Sequence, residues 1–106
     1  MERREGQMVI FTVNWTAQES NSYAIGTLSA HRTMAGAVST LAATIESLNI
    51  FWRRTDGGMS PDQMRETPPQ SRQDLHRYRA TFIQMDEGMT EARRMELEIK
   101  QINVAN

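Results

Sequence analysis

The sequence predicts a mainly α fold: a long antiparallel helical hairpin with a short N-terminal β-strand, dimerising into a four-helix arrangement. Three observations predict it. An apolar 3-4 rhythm runs through the last third, Leu75, Tyr78, Phe82, Met85, Met89, Ala92, a slip to Met95, then Ile99 and Ile102, which is the spacing of a coiled-coil-like seam. A second stripe at helical spacing, Leu28, His31, Met34, Val38, Leu41, Ile45, Leu48 and Trp52, supplies a helix for that seam to pack on. A chain of 106 residues is one domain, and two long amphipathic helices in a domain of that size leave apolar surface wet, which calls for a homodimer.

Residues 1–7 are charged and read as a frayed end. Residues 8–15, Met8-Val9-Ile10-Phe11-Thr12-Val13-Asn14-Trp15, are rich in β-branched and aromatic types and read as a strand. Val9, Phe11, Val13 and Trp15 share one wholly apolar face, and Met8, Ile10, Thr12 and Asn14 share the other. No later run has the same β character, so the strand is expected to find its hydrogen-bonding partner in another chain. The alternative is an extended arm lying over the helices with its backbone in water.

Helix one is expected over residues 17–54, about 45 Å of it strongly patterned. Its start falls within residues 16–22, where Thr16-Ala17-Gln18-Glu19 has capping-box spacing and Ser20, Asn21 and Ser22 compete as caps. Residues 35–43 are poor in large side chains, which predicts a close helix crossing there. Residues 55–67 form a loop punctuated by Gly and Pro, with Ser60-Pro61-Asp62-Gln63 set up as a short helical turn. Helix two is expected over residues 68–102, about 50 Å long, entered at Thr67-Pro68-Pro69-Gln70 or at Ser71. Gly88 is then a point of close approach between the two helices.

Composition excludes several function classes. Twelve basic and thirteen acidic residues give a net charge of -1, with a pI of about 6.1, which argues against direct nucleic-acid binding and against an anionic membrane surface. There is no cysteine, no secretory leader pattern, and no apolar run near the ~20 residues that span a bilayer, so a cytoplasmic protein is expected. His31 and His76 fall on different predicted helices, with no triad and no metal-ligand spacing around them. No catalytic residue, metal site or cofactor is expected. Asp86, Glu87, Glu91, Glu96 and Glu98 read as the solvated face of helix two, and Arg53-Arg54 and Arg93-Arg94 as solvated surface.

What remains is apolar surface. Ile50-Phe51-Trp52 places three large side chains within one turn of helix, spread over about 200°, so at least one is expected to face a partner. Met85, Met89 and Met95 add a deformable stripe. The candidate partner-binding or dimer residues are therefore Val9, Phe11, Val13, Trp15, Phe51, Trp52, Met85 and Met89.

Two short motifs carry a family resemblance. Ala30-His31-Arg32 at the expected first helix resembles the Thr-His-Arg start of a TraM-like helix, and Pro69-Gln70 before a helix bearing Tyr78 resembles the Pro-Gln entry of the second. The pattern is similar to the TraM and QslA type of antiactivators of quorum sensing, with the QslA type closer because of the longer interhelical connection and the N-terminal strand. That resemblance implies a cytoplasmic helical dimer that binds a LuxR-type transcription factor and blocks its dimerisation or DNA binding. The alternative is a helical adaptor or chaperone-like protein, such as a phage-encoded one, that caps a client protein.

Overall fold

A computed structural model describes residues 8–88 and 91–104 of the chain. The N-terminal run does form a strand, β1 (Met8–Glu19), but its partners lie in the same chain. The residues expected to open helix one form β2 (Ser22–His31), and helix one itself is confined to α1 (Met34–Leu48). A two-residue strand β3 (Arg53–Arg54) and a short helix α2 (Pro61–Glu66) follow. In place of helix two there is a 3₁₀ turn (Arg72–Arg77) and two strands, β4 (Arg79–Met85) and β5 (Glu91–Val104). The chain is mainly β, a five-stranded antiparallel sheet in the order β2-β1-β5-β4-β3, and not a helical hairpin or half of a four-helix arrangement.

The backbone of β1 decides this. A strand must satisfy its N–H and C=O groups, and β1 does so with β5 along its whole length, from Met8 opposite Val104 to Glu19 opposite Arg93. In β5 the sequence Met95-Glu96-Leu97-Glu98-Ile99-Lys100 alternates apolar and charged at period two, which puts Met95, Leu97 and Ile99 on one face and the charges on the other. Met95 and Ile99 are also four apart, so the same residues satisfy a helical seam on paper. Phe82 is the cross-strand partner of Met95, and Leu75 and Tyr78 belong to the 3₁₀ turn, so the apparent seam is assembled from three different elements.

Ser20 and Asn21, candidate helix caps in the sequence, instead make the two-residue turn between β1 and β2. Ser20 takes a left-handed φ of 49°, as tight hairpins require. A bulge opposite the Val13-Asn14 step accommodates one extra residue of β2.

All the helices lie on one face of the sheet. Thr33 caps α1, its hydroxyl accepting the Gly36 N–H at 3.0 Å. Ala37, Val38, Leu41, Ala42 and Ile45 are buried on one side of α1, packing toward Phe11 and Val13 of β1, Ala80 and Phe82 of β4, and Leu97 and Ile99 of β5. The small residues expected to permit a close helix crossing thus permit close approach to a sheet. Ser60 and Gln63 form a reciprocal capping box that starts α2, which seats Met64 in the core. The opposite face of the sheet carries Asn14, Glu96, Glu98 and Lys100 and has no covering layer among the described residues. Among those residues no helix is long and apolar enough to cross a membrane.

Candidate protein-docking edge

The 15 residues of α1 extend about 22 Å, whereas the 12 residues of β1 extend about 40 Å and the 14 of β5 further still. The helix therefore cannot cover the sheet, and the distal ends of β1, β2 and β5 run on beyond it. On β2, Tyr23 and Ile25 stand opposite Gln18 and Thr16, on the helix-free face of the sheet. Tyr23 and Ile25 of β2 are 68% and 67% exposed, and Leu28 is 47% exposed.

β2 is also an edge strand, paired among the described residues with β1 alone, so half of its backbone groups face outward. From Ser22 to Ala30 it carries no charged side chain and no proline, the usual means of blocking such an edge. The opposite edge is different in kind: β3 has only two residues and both are arginine. Trp15 braces β2 from the helix side, because it lies across Gly26, where a Cβ would come within 2.6 Å of the indole ring. Only glycine leaves room for that packing.

Beside the start of β2 is a groove of about 410 Å³, walled by Ala17, Tyr23, Ala24 and Met95, with Trp52 contributed by the segment after α1. Ile50 and Phe51, next to Trp52, are 71% and 78% exposed. The charges at the groove are taken up in exposed pairs, Arg93 with Glu19 at 3.2 Å and Arg94 with Glu91 at 3.0 Å. Such pairs add little energy but leave no bare charge beside the apolar walls.

The sequence-derived candidates divide between core and surface. Phe11 and Val13 are buried against α1, and Val9 and Trp15 are half-buried and packed on the same core, so the apolar face of β1 is occupied within the chain. Phe51 is exposed and Trp52 lines the groove. Met85 is half-buried at the end of β4, and Met89 lies outside the described residues. Tyr23, Ile25 and Leu28 are not among the sequence-derived candidates; the signal for Tyr23 and Ile25 is their alternation with Ser22, Ala24 and Gly26, while Leu28 also fits the helical stripe.

The histidines make local contacts. The His31 Nε2 lies 2.8 Å from the Ser29 hydroxyl, with no carboxylate hydrogen bonded to the ring among the described residues, so the pair lacks the third group of a nucleophile-base-acid arrangement. His76 Nδ1 contacts the Gln73 carbonyl. The described residues hold no cluster of three or more His, Asp or Glu able to bind a metal.

The fold and its open edge define a small, mainly β domain with helices on a single sheet face. Among known proteins, no family model, no curated protein and no solved structure matches the chain. The antiactivator and quorum-sensing reading rested on two helices that the chain does not form. Ala30 and His31 end β2, and Pro69-Gln70 leads into the 3₁₀ turn that Tyr78 closes, so the chain lacks the helices that carry the resemblance.

Proposed function

We propose that the chain is a protein-binding module that takes an extended segment of a partner protein as a sixth strand along β2. The observation that carries this is the long, uncharged β2 edge, open among the described residues, with Tyr23, Ile25 and Leu28 exposed on the same strand. Strand addition obtains affinity from main-chain hydrogen bonds and selectivity from alternate side chains. The groove with Trp52 supplies a pocket for one such side chain at the strand's beginning, and Arg93 and Arg94 provide a polar rim. The module acts by occupancy, without turnover, metal or cofactor. The cysteine-free composition supports a reducing, cytoplasmic setting.

Panning a random peptide library against the purified chain tests the reading. Selected peptides should share an alternating apolar pattern, protect β2 amides from hydrogen exchange, and lose at least about tenfold in affinity to a Tyr23→Lys/Ile25→Lys variant, whose new charges sit at positions already exposed. Peptides that bind equally well to the variant, or that protect a different element, would overturn it.

The same edge favours a second reading, a homodimer. Because β2 carries no charge from Ser22 to Ala30, two copies could pair their edges antiparallel across a two-fold axis without like-charge repulsion. Sedimentation equilibrium should then give a dimer for the wild type and a monomer for the Tyr23→Lys/Ile25→Lys variant. A monomeric wild type excludes this reading and leaves the first standing.

A further inference from the structure

At the other side of the molecule, the loop after β3, α2 and the 3₁₀ turn surround a second cavity, of about 480 Å³. Asp56 lines its floor and is held in an ion pair with Arg54. Arg54 donates to both oxygens of Asp56, at 2.8 and 3.0 Å, and also to the carbonyls of Met59 at 2.5 Å and Arg79 at 3.2 Å. Asp56 further accepts the backbone N–H of Gly58 and of Thr81, each at 3.0 Å. The pair therefore staples the 56–59 loop to β4. Burial by itself raises the Asp56 carboxyl above its ordinary value of 3.8. The hydrogen bonds from Arg54 and the Thr81 N–H, with the Arg54 charge and the Gly58 N–H, outweigh burial and hold it at about 2. Among the described residues Asp56 is the one acid lining the cavity, and Arg54 balances its charge.

Three further lining groups are basic: His76, Arg77 and Arg79. Both arginines are exposed, and neither makes an ion pair or a side-chain hydrogen bond among the described residues. The acid across the strand from Arg79 is Glu98, which is paired with Lys100 at 3.3 Å. His76 uses Nδ1 on the Gln73 carbonyl, which leaves Nε2 available. The cavity thus has a charge-neutral floor, with the exposed Arg77 and Arg79 among its lining residues, and lies within the size range of small-ligand sites. Guanidinium groups match phosphate geometry by forked, charge-assisted hydrogen bonds.

The geometry points to this cavity as a binding site for a phosphomonoester group, held by Arg77 and Arg79 with His76 beside them. It is separate from the β2 edge and does not depend on the protein-binding reading. The same group reaches a protein on a small metabolite or on a phosphorylated side chain, and the probes distinguish these sources: inorganic phosphate, adenosine monophosphate and a short phosphoserine peptide, each titrated into the full chain by NMR. Saturable shifts at Gly57, Gly58, Arg77 and Arg79 are expected. The tightest of the three probes identifies the source. Arg77→Gln and Arg79→Gln should each weaken binding about tenfold, as the loss of a forked charge-assisted pair predicts. Both positions are exposed, and unchanged circular dichroism and melting would show that the variants fold. Equal displacement by chloride at matched ionic strength, unchanged affinity in the Arg77→Gln/Arg79→Gln double variant, or no saturable shift with any probe would overturn the assignment.

Discussion

Replacing Asp56 with Asn tests the electrostatic core of the structure. The substitution keeps the shape of the side chain and one acceptor oxygen, but it removes the charge and turns an amide NH2 toward groups that donate. In the native fold those groups are Arg54, Gly58 and Thr81. The side chains of Arg54 and Asp56 are 14% and 13% exposed, so solvent screens them little. Lowering the carboxyl from 3.8 to about 2, at about 1.4 kcal/mol per pH unit, corresponds to about 2 kcal/mol of stability at neutral pH. Because the folded-state value is the lower one, this contribution is complete above the unfolded value near 3.8 and is lost as pH falls through about 2. Urea denaturation at pH 7 should show Asp56→Asn less stable by about 2 kcal/mol with an unchanged m-value. The gap between wild type and variant should hold to about pH 4 and close toward pH 2. The other carboxylates titrate in both proteins and drop out of the difference. A gap that is constant from pH 7 to pH 2, or one below about 0.5 kcal/mol at pH 7, would refute the argument that the stapled carboxylate stabilises this loop.

Three other substitutions probe the rest of the fold. Leu41→Ala removes a fully buried side chain from the middle of α1 and should cost about 2 to 5 kcal/mol by urea or thermal denaturation. Gly26→Val puts a branched Cβ into the space held by the Trp15 ring, so it should cost about 1 to 3 kcal/mol and shift Trp15 fluorescence in a Trp52→Phe background. Phe51→Ser alters a side chain that is 78% exposed, so stability should stay within about 0.5 kcal/mol of wild type while binding of library-selected peptides falls.

The candidate site was legible only in part. That Ile50-Phe51-Trp52 is not all core could be read from sequence, because three large apolar groups in consecutive positions cannot all enter one core, and the structure leaves Ile50 and Phe51 in solvent. The β2 edge could not be read in this way. Tyr23 and Ile25 are left exposed by sheet register, which sets them opposite Gln18 and Thr16 on the helix-free face, and by sheet order, which places β2 outermost. The cavity at Arg77 and Arg79 was also hidden, since it requires the 56–59 loop to fold back onto β4.

Local patterning by itself determined three elements: the strand at the N-terminus, from its β-branched alternation, the buried face of α1, from the spacing of Val38, Leu41 and Ile45, and α2, from its Ser60 cap and Pro61. Tertiary structure decided the last third of the chain. Glu, Leu, Met and Lys favour helices as isolated residues, and a spacing of four is common to a helical stripe and a strand face. What selected the strand was a partner far away in sequence. Residues 8–19 could satisfy their backbone only beside a long strand, and residues 91–104 supplied it, with Leu97 and Ile99 turned toward the same helix as Phe11 and Val13. The pairing energy belongs to neither segment alone, and so no window of sequence contains it.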